Sequence, residues 1–567
     1  MRIALFNKNL VLNLSLIEKY GSPKEMWPRF NLDFPEAQGW PAKLNIAEVL
    51  VDENVRRGVG GKVAILCEDQ RITYSELQLM VNRFGNALKS LGVEVGDRVM
   101  LRLPNIPEFI VSQFAVQKIG AVSVPVHTLW RAKELCYIAN DCEAKVLITT
   151  PQLIEEVEKA KDEMKTIKHI IIVNGEVSHP YMAFNELIES YKGATDLDAI
   201  RVDQDEIALL QYTSGTTGPP KGCIHTHRDY LAVGECFAKK VLMSDERDVW
   251  GGPASMVFSL GHNALISDPF YCGAASSLMG ERRFDPTFMF ELIEKHRITI
   301  LCAVPTAYRA MIAQKEERGK HDFSSLRVCV TGGEHCPPSL YLEIKDFFGV
   351  EVLNHIGCTE MHHAFISARF GQVKPGSLGL PVPGYEVKVF DDYGKELPPN
   401  EIGHLAVIGP TGTRYWKRPE KQAESVKDGW NYTGDLAYKD ADGYFWYVSR
   451  SDDIIKTAAY RVQPHEVEDA LTKHPAVAEA AVIGAPDPER GQIVAAFVVL
   501  KPNFQPSNGL KEEIKNFAKT QVAPYKAPRV VEIVTELPKT ETGKIKRSEL
   551  RKCELKKKSI MTIFNNE

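Results

Sequence analysis

A short segment that begins at Gln211 concentrates side chains that could bind a phosphate. It reads QYTSGTTGPPKGCIHTHRDY over residues 211–230, and its hydroxyl, glycine and lysine residues include Thr213, Ser214, Gly215, Thr216, Thr217, Gly218 and Lys221. Glycines allow backbone amides to point at an anion, hydroxyls add donors, and a lysine supplies a positive charge. The segment therefore predicts a loop that binds a polyphosphate, and a flexible linker is the alternative.

The sequence on both sides of this loop favours phosphate binding. IALLQY at 207–212 is typical of a buried strand, and a helical pattern is expected to resume after residues 219–222. A loop held at both ends is not a free linker. The spacing also differs from GxxxxGK[ST], because Pro220, Lys221 and Gly222 stand where that motif needs a glycine followed by Lys-Ser/Thr. Kinase-like and GTPase-like functions are therefore disfavoured.

Helical and strand patterns alternate from about residue 44. VAILCED at 63–69 and KVLITT at 145–150 are typical of strands, and TYSELQLMVNRFGNALKSLGV between them predicts a helix with a capping box from Thr73 to Glu76. The apolar face of that helix is predicted to consist of Leu77, Val81, Phe84 and Leu88. Such alternation predicts parallel sheets covered by helices.

The pattern changes near residue 435. LAYKDADGYFWYVSR predicts a hairpin that turns at Asp442-Gly443, and after it come a helix in VQPHEVEDALTKHP, strands in AVAEAAVIG and IVAAFVVLK, and a helix from Leu510. We therefore expect an α/β protein with a large N-terminal α/β body of several subdomains and a small C-terminal α+β domain. The expected domains span residues 1–450 and 451–567.

The composition is that of a soluble globular protein. Charged residues are 25% and hydrophobic residues 44% of the 567-residue chain, and a formal net charge of −5 provides no overall basic field for nucleic acid or an anionic membrane. The basic tail from Lys544 to Lys558 is expected to form a solvated helix face. Nucleic acid and a membrane are therefore not expected as partners, and a homo-oligomer is compatible with the sequence.

The cysteines and apolar segments indicate the compartment. The chain has 11 cysteines without a CxxC pair, which argues against a disulfide framework and a zinc ribbon. The N-terminal apolar stretch is interrupted by Asn and Lys, and no run of 18 apolar residues follows. We expect no export signal, no membrane span and a cytoplasmic location.

Five segments, in order along the chain, resemble the adenylate-forming superfamily of acyl-CoA and aryl-CoA synthetases, peptide-synthetase adenylation domains and luciferases. They are YTSGTTGPPKG in the opening loop, IGCTE at 356–360, NYTGDLA at 431–437, SRSDDIIKTAAYRVQPHEVE at 449–468 and LPKTETGKIKR at 537–547. Within that family, IGCTEMHHAFIS, the GYFWY hairpin and PYKAPR look closest to benzoate, 2-aminobenzoate and medium-chain acyl-CoA ligases.

The resemblance implies an AMP-forming carboxylate–CoA ligase with ATP, Mg²⁺ and coenzyme A as cofactors or co-substrates. A carboxylate and ATP would give an acyl adenylate and pyrophosphate, and a thiolate would then give acyl-CoA and AMP. The acid is expected to be larger than propionate, either aromatic or medium-chain. The alternatives are a ligase for a hydroxylated short-chain acid such as 4-hydroxybutyrate, an adenylating enzyme that passes the acyl group to a carrier thiol, and a non-catalytic adenylate-binding protein.

The resemblance also assigns the chemistry of the first step. Lys544 matches the family's adenylation lysine, which stabilises charge that develops around the α-phosphate. Glu360 would bind Mg²⁺, and Thr359 would donate to the α-phosphate, because magnesium prefers one or two carboxylates together with phosphate oxygens. A plain surface Thr-Glu pair and a solvated lysine are the alternatives.

The remaining roles follow from these motifs and from two further segments, VTGGEH at 330–335 and MVFSLGHNA at 256–264, for which a simple turn and a core phenylalanine are the alternatives. Asp435 would accept from the ribose hydroxyls with help from Arg450, and Arg461 would contact a nucleotide phosphate unless it forms an ordinary salt bridge. The adenine would lie against Gly332, Gly333, Glu334, His355 and Ile356. The acyl pocket would be formed by Phe258, His262 and Gly357, although a histidine beside such a gate is more often a packing residue than a base. The resemblance implies that the small C-terminal domain is mobile about a hinge at Asp452, and the coenzyme A tunnel would pass Ala458 and Ala459.

Three positions distinguish this chain within the family pattern. Ile356 stands where the family commonly has Tyr or Phe, which removes an aromatic surface beside the adenine. Ala459 replaces a usual glycine on the strand that lines the pantetheine tunnel. In acetate-activating relatives a Trp fills the position of Gly357, so the glycine is expected to leave space for a longer or aromatic acid.

Overall fold

The computed structural model describes residues 15–175, 179–213, 219–451, 453–457, 460–487, 490–539 and 545–554, with the backbone alone at residues 460 and 461. The strands are β1 Lys43–Leu44, β2 Val63–Cys67, β3 Gln70–Thr73, β4 Arg98–Arg102, β5 Val122–Pro125, β6 Ala144–Thr149, β7 His169–Ile172, β8 Met182–Ala183, β9 Val202–Asp203, β10 Ile207–Thr213, β11 Lys221–Thr226, β12 Val249–Gly251, β13 Ala275–Leu278, β14 Ile300–Ala303, β15 Val328–Gly332, β16 Glu351–Gly357, β17 Ala364–Ser367, β18 Leu380–Pro381, β19 Glu386–Phe390, β20 Gly403–Ile408, β21 Val426–Lys427, β22 Trp430–Lys439, β23 Phe445–Arg450, β24 Ile455–Thr457, β25 Tyr460–Val462, β26 Val477–Asp487, β27 Gly491–Leu500 and β28 Val530–Val534.

The helices cover both sheets of the large body and one side of the last sheet. They are α1 Leu16–Tyr20, α2 Pro35–Gln38, α3 Tyr74–Ser90, α4 Pro107–Lys118, α5 Ala132–Cys142, α6 Ile154–Ala160, α7 Phe184–Ser190, α8 His227–Val233, α9 Ser259–His262, α10 Asp268–Cys272, α11 Pro286–His296, α12 Pro305–Ala313, α13 Lys315–Arg318, α14 Pro338–Phe348, α15 Pro419–Ser425, α16 Pro464–Thr472 and α17 Asn508–Gln521. A 3₁₀ turn at Thr359–Met361 follows β16 directly.

Two large, mostly parallel sheets form the N-terminal body. The first has seven strands in the order β11-β10-β5-β4-β6-β7-β8, and the second has nine in the order β18-β17-β16-β15-β14-β12-β13-β2-β3. Among the described residues, antiparallel pairs in these two sheets occur only at their edges, as in β10 with β11 and β16 with β17. Strands such as β6 and β14 are apolar and buried on both faces, as parallel strands covered by helices must be.

Two further sheets follow in sequence. Strands β19 to β23 form an antiparallel sheet whose last two strands are the hairpin predicted to turn at Asp442-Gly443. The final sheet consists of β24 to β28, and α16 and α17 pack beside it around buried Val467, Leu471 and Ile514. The expected architecture of a large α/β body and a smaller C-terminal α+β unit is confirmed.

Helix α3 illustrates how local sequence determines an element. Its N-cap is Thr73, whose side chain accepts from the backbone N–H of Glu76, while the Glu76 carboxylate accepts from the Thr73 N–H at 2.8 Å. All four residues predicted on its apolar face, Leu77, Val81, Phe84 and Leu88, are fully buried. The capping box fixes where the helix starts, and the burial of this face holds it on the body.

The segment after the phosphate loop does not continue as a helix, which corrects the expectation from the sequence. Residues 221–226 form β11, which pairs antiparallel with β10 from Thr213↔Lys221 to Ile207↔Thr226, and α8 begins only at His227. The reason is tertiary: β10 offers an open edge, so the segment satisfies its backbone hydrogen bonds there instead of within a helix. The loop therefore joins two strands of one hairpin.

The described residues also show the state of the cysteines and the length of the helices. All eleven cysteines lie within the described residues and are free thiols. No helix in the described part of the chain is both long and apolar enough to span a lipid bilayer. The N-terminal segment before residue 15 and the tail after residue 554 lie outside the described residues.

Candidate active site

Two neighbouring parallel strands bring two predicted motifs together. Strands β15 and β16 pair in register, with Gly332 opposite His355, and both end at the same edge of the nine-stranded sheet. Gly333 and Glu334 follow the first strand, and the Thr359–Met361 turn follows the second. Ligands of open α/β sheets bind at this carboxyl edge. The predicted adenine and α-phosphate segments therefore lie side by side.

The close contact between these strands explains a glycine of the predicted adenine segment. A Cβ at Gly332 would lie 2.6 Å from the His355 ring, so only glycine leaves room for that imidazole. His355 is buried, and burial lowers its pKa to about 3. Glu334 accepts from the backbone N–H of Thr306 at 3.0 Å. Ile356 is half-buried against the core and presents no aromatic face.

Lys221, Tyr415 and Glu360 form a continuous arrangement. The Lys221 ammonium lies over the Tyr415 ring, 4.9 Å from its centroid, and the Tyr415 hydroxyl donates to Glu360 Oε1 at 2.8 Å. Burial raises the pKa of Tyr415, so its phenol keeps the proton that it donates. Tyr415 is held by a backbone bridge to Cys223 of β11. A cation from the end of the loop and a carboxylate from the Thr-Glu motif thus share one side of the site.

The predicted ribose pair is also brought together. Asp435 on β22 and Arg450 on β23 are direct partners in the antiparallel hairpin, and Arg450 Nη1 lies 3.1 Å from Asp435 Oδ1. Asp435 is almost fully buried while Arg450 is about half exposed. The hairpin register therefore places the carboxylate and its guanidinium partner at one position of the sheet.

Phe258 and His262 lie at the two ends of the short helix α9. Phe258 is its N-cap and stacks on His127 with ring centroids 5.0 Å apart. His262 is fully buried, with Nδ1 3.2 Å from the Met256 carbonyl oxygen and Nε2 3.0 Å from the Tyr230 hydroxyl. Burial lowers the pKa of His262 to about 4. His262 is thus buried and hydrogen-bonded, as the sequence reasoning favoured over a role as a base.

Gly357 does not face open space, which corrects the argument made from the absence of a tryptophan. A Cβ there would lie 2.6 Å from the carbonyl oxygen of His363 and 2.9 Å from Cα of Ala364. The cause is the irregular register at which β16 meets β17. A large side chain at Gly357 would displace this backbone, so a tryptophan substitution is not a clean test of pocket size.

The C-terminal unit contacts the predicted adenine segment. His335, next to Glu334, has its Nε2 3.1 Å from Asp469 Oδ2 on α16, and its ring lies 5.0 Å from that of His465. Arg547, close in sequence to the predicted adenylation lysine, contacts Glu468 on the same helix at 2.8 Å. Helix α16 therefore lies between the adenine segment and the lysine motif.

Several predicted residues cannot be placed. The loop residues Ser214, Gly215, Thr216, Thr217 and Gly218, the hinge residue Asp452, the tunnel residues Ala458 and Ala459, and the adenylation residue Lys544 lie outside the described residues. Arg461 is described by its backbone, which pairs with Lys456. Thr213 ends β10 opposite Lys221, so both ends of the loop are fixed.

Sequence reasoning missed Tyr415, which contacts two of the predicted residues. It lies in TGTRYWK, a segment with no pattern typical of a site, and is far in sequence from both Lys221 and Glu360. His335 was missed because only the three residues before it match the adenine segment. No signal in a single sequence identifies either residue.

Models of known families match most of the chain. The model described as AMP-binding enzyme matches residues 51–416, and the AMP-binding enzyme C-terminal domain matches residues 466–544. The chain belongs to the AMP-binding enzyme family. This membership agrees with the resemblance found in the five motif segments.

Relatives within the AMP-binding enzyme family carry different acids in their names. The chain is 35% identical to benzoate–CoA ligase of Thauera aromatica, covering 91% of this chain and 97% of the relative. It is 36% identical to acetyl-coenzyme A synthetase of Bacillus subtilis (strain 168), covering 90% and 91%. A crystal structure of an anthranilate CoA ligase in complex with anthranoyl-AMP superposes with a TM-score of 0.87 at 37% identity, covering 92% and 99%.

Proposed function

We propose that this AMP-binding enzyme is an ATP-dependent, AMP-forming carboxylate–CoA ligase. The observation that carries the proposal is the arrangement of Lys221, Tyr415 and Glu360 beside the carboxyl edge of β15 and β16. A cation and a carboxylate that face one ligand site suit a triphosphate, because each can bind part of its charge. A protein that only bound an adenylate would not need the adenylation lysine motif.

In the first step, the chain's residues would bind and orient ATP for attack by the carboxylate. Lys221 and the hydroxyls of residues 213–217 would donate to phosphate oxygens, and Thr359 would donate to the α-phosphate. Glu360 fits a Mg²⁺ ligand because the Tyr415 hydroxyl donates to Oε1 of its carboxylate and magnesium accepts a single carboxylate beside phosphates. The ion, when bound, would neutralise phosphate charge.

The nucleoside would be held by groups from two sheets. Asp435 would accept from the ribose hydroxyls while Arg450 orients its carboxylate, and the adenine would lie near Gly333, Glu334 and Ile356. Because Ile356 is aliphatic, adenine would be held by dispersion contacts instead of aromatic stacking. Arg461 is proposed to contact a phosphate.

The second step is proposed to use a different placement of the C-terminal domain, residues 451–567. Rotation at Asp452 would remove Lys544 from the nucleotide and bring Ala458 and Ala459 beside the pantetheine arm, so that the thiolate attacks the acyl adenylate and AMP leaves. The contacts of His335 with α16 are of the kind that must break in such a rotation.

The acid is proposed to be larger than propionate. Incubation of the protein with ATP, Mg²⁺ and a panel of carboxylic acids, with and without coenzyme A, tests both the function and the size of the acid. Relatives named for benzoate and anthranilate support the larger acid, while the relative named for acetate supports a smaller acid. We expect AMP release that depends on both coenzyme A and the acid, with kcat/KM higher for acids of four or more carbons than for acetate. Apolar pockets discriminate by about 1–3 kcal/mol per methylene, so a range of sizes should react.

The outcomes of this assay separate the candidate functions. Adenylate formation without thioester would support transfer to a carrier thiol, and neither product would support a non-catalytic protein. Acetate as the best substrate would contradict the size proposal and leave the ligase activity standing.

Substitution of Ala459 by leucine should block the second step alone. The added bulk would lie on the strand that lines the proposed pantetheine path, so thioester formation should fall while acid-dependent pyrophosphate exchange survives. The matched control is Ala423→Leu on exposed α15, which should leave both steps unchanged. Normal coenzyme A turnover in Ala459→Leu would show that the tunnel lies elsewhere.

A further inference from the structure

Three histidines come together in the interior below the candidate site. His225, His262 and His362, with Tyr230 and Gln113, are each no more than 1% exposed. The rings of His225 and His362 lie 4.2 Å apart, that of Tyr230 lies 4.9 Å from His362, and that of His262 lies 5.8 Å from His362. We call this group the imidazole cluster.

Each histidine of the imidazole cluster continues an element that carries a predicted site residue. His225 lies on the same face of β11 as Lys221, because alternate residues of a strand share a face. His362 directly follows the turn that contains Glu360, and His262 ends the helix that Phe258 caps. The cluster is therefore the interior end of the region whose outer end is predicted to bind the phosphates and the acid.

Several polar atoms of the imidazole cluster have no partner among the residues that the structure describes. They are Nε2 of His225, both ring nitrogens of His362 and Oε1 of Gln113. Buried polar groups in folded proteins are nearly always hydrogen-bonded, to protein, to ordered water or to a ligand. His362 is moreover held at φ 66°, a backbone conformation that a residue with a bulky side chain adopts at a cost. The side chain is thus retained in place without a protein partner.

The unpartnered atoms of the imidazole cluster are ring nitrogens and an amide oxygen, and a carboxylate directly precedes Tyr230 on α8. Burial lowers the pKa of His225 well below the ordinary range, so its imidazole has one N–H donor and one acceptor nitrogen. The carboxylate, that of Asp229, is paired with Arg414. A neutral group that both donates and accepts would satisfy the cluster, whereas a second carboxylate would be repelled and a hydrocarbon would leave its atoms unpaired.

We propose that the imidazole cluster is the inner end of the acyl pocket and that the acid carries a neutral hydrogen-bonding group, a hydroxyl or an aromatic amino group, which binds to His225 and His362. This inference rests on the proposed ligase function and specifies its substrate class. It predicts hydroxylated or amino-substituted acids in preference to plain hydrocarbon acids of the same size and to dicarboxylic acids.

The test compares acids that differ only in this group. We would measure kcat/KM for acid-dependent pyrophosphate release with 3- and 4-hydroxybenzoate against the matching methylbenzoates, 3- and 4-aminobenzoate against the same isosteres, and 4-hydroxybutyrate against pentanoate. At least one polar acid should exceed its methyl isostere by about tenfold or more, because a site built to bind a hydroxyl discriminates strongly against an analogue that lacks it. Succinate and terephthalate should react poorly.

Variants then connect the preference to the cluster. His362→Phe keeps a ring and removes both nitrogens, and Gln113→Met removes the amide at similar volume. Each variant should lower the ratio of kcat/KM for the polar acid to kcat/KM for its methyl isostere about tenfold, mainly because kcat/KM for the polar acid falls. The matched control is His227→Phe, which removes another buried histidine with an unpartnered Nε2, whose Nδ1 accepts from Ile46, and it should leave the ratio unchanged.

The outcomes distinguish this inference from the proposed function. Turnover of methyl acids with no preference for any polar acid would overturn the inference alone and would indicate that ordered water satisfies the cluster. A ratio unchanged in both cluster variants, or lowered equally in His227→Phe, would also overturn it. No coenzyme A-dependent AMP release with any acid would overturn the proposed function itself, and this inference with it.

Discussion

Replacement of Lys544 by alanine should reduce adenylation by about 10²–10³-fold, which corresponds to about 2.7–4 kcal/mol for the loss of one transition-state donor. Thioester formation from a supplied acyl adenylate should stay close to normal, because the lysine is proposed to reach the nucleotide only in the first placement of the C-terminal domain. The measurement is acid-dependent pyrophosphate exchange for the first step and thioester formation from the purified adenylate for the second.

The control for this prediction lies in the same motif. Lys539 forms a partly exposed ion pair with Glu479, with their nearest atoms 2.7 Å apart, and such pairs contribute little to stability. Lys539→Ala should therefore leave both steps nearly unchanged. Equal losses in the two steps for Lys544→Ala would contradict the proposal that the domain alternates between two placements.

Replacement of Arg414 by methionine should lower the free energy of unfolding by about 3–5 kcal/mol, the range found when one partner of a buried ion pair is removed. The Arg414 side chain is fully buried, contacts Asp229 Oδ2 through Nη2, and lies over the Phe30 ring 5.0 Å from its centroid. Methionine retains much of the packing volume but leaves the Asp229 carboxylate buried without its cation. Urea unfolding followed by intrinsic tryptophan fluorescence measures the change.

A second substitution identifies the uncompensated charge as the cause. Asp229 also accepts from the backbone N–H of Thr226 at 2.9 Å, a contact that asparagine can keep. Asp229→Asn in the Arg414→Met background should therefore recover part of the lost stability. Arg297→Met, which breaks an exposed pair with Asp322, should stay close to the unsubstituted protein. If Arg414→Met lowers the free energy of unfolding as little as Arg297→Met does, the prediction is contradicted.

Much of the fold follows from local patterns. The capping box at Thr73 and the apolar spacing after it predicted α3, and Asp442-Gly443 predicted the turn between β22 and β23, because both signals act within a few residues. The expectation that a helix resumes directly after residue 222 was wrong, because residues 221–226 form a strand whose partner, β10, supplies hydrogen bonds that local sequence does not reveal.

Some contacts of the candidate site likewise follow from local sequence, and others do not. Asp435 and Arg450 lie on adjacent strands of a short hairpin, so their contact follows from a predicted turn and register. Tyr415 contacts Glu360 and lies under Lys221 only because a separate backbone bridge holds it against β11. The expectation of open space at Gly357 was wrong because β17 approaches this residue. That approach depends on how the strands pair and not on the residue type.

The sequence by itself determined the family, the α/β architecture and the residue types that are proposed to bind ATP, because motifs of charged, hydroxyl and glycine residues at fixed spacing are recognisable without the fold. Only the tertiary structure decided which distant residues complete the site: Tyr415 beside Glu360, α16 against His335, and the imidazole cluster below them. The physical reason is that these contacts join segments far apart in sequence, and their distances and burial are set by the packing of sheets and helices, not by any local preference.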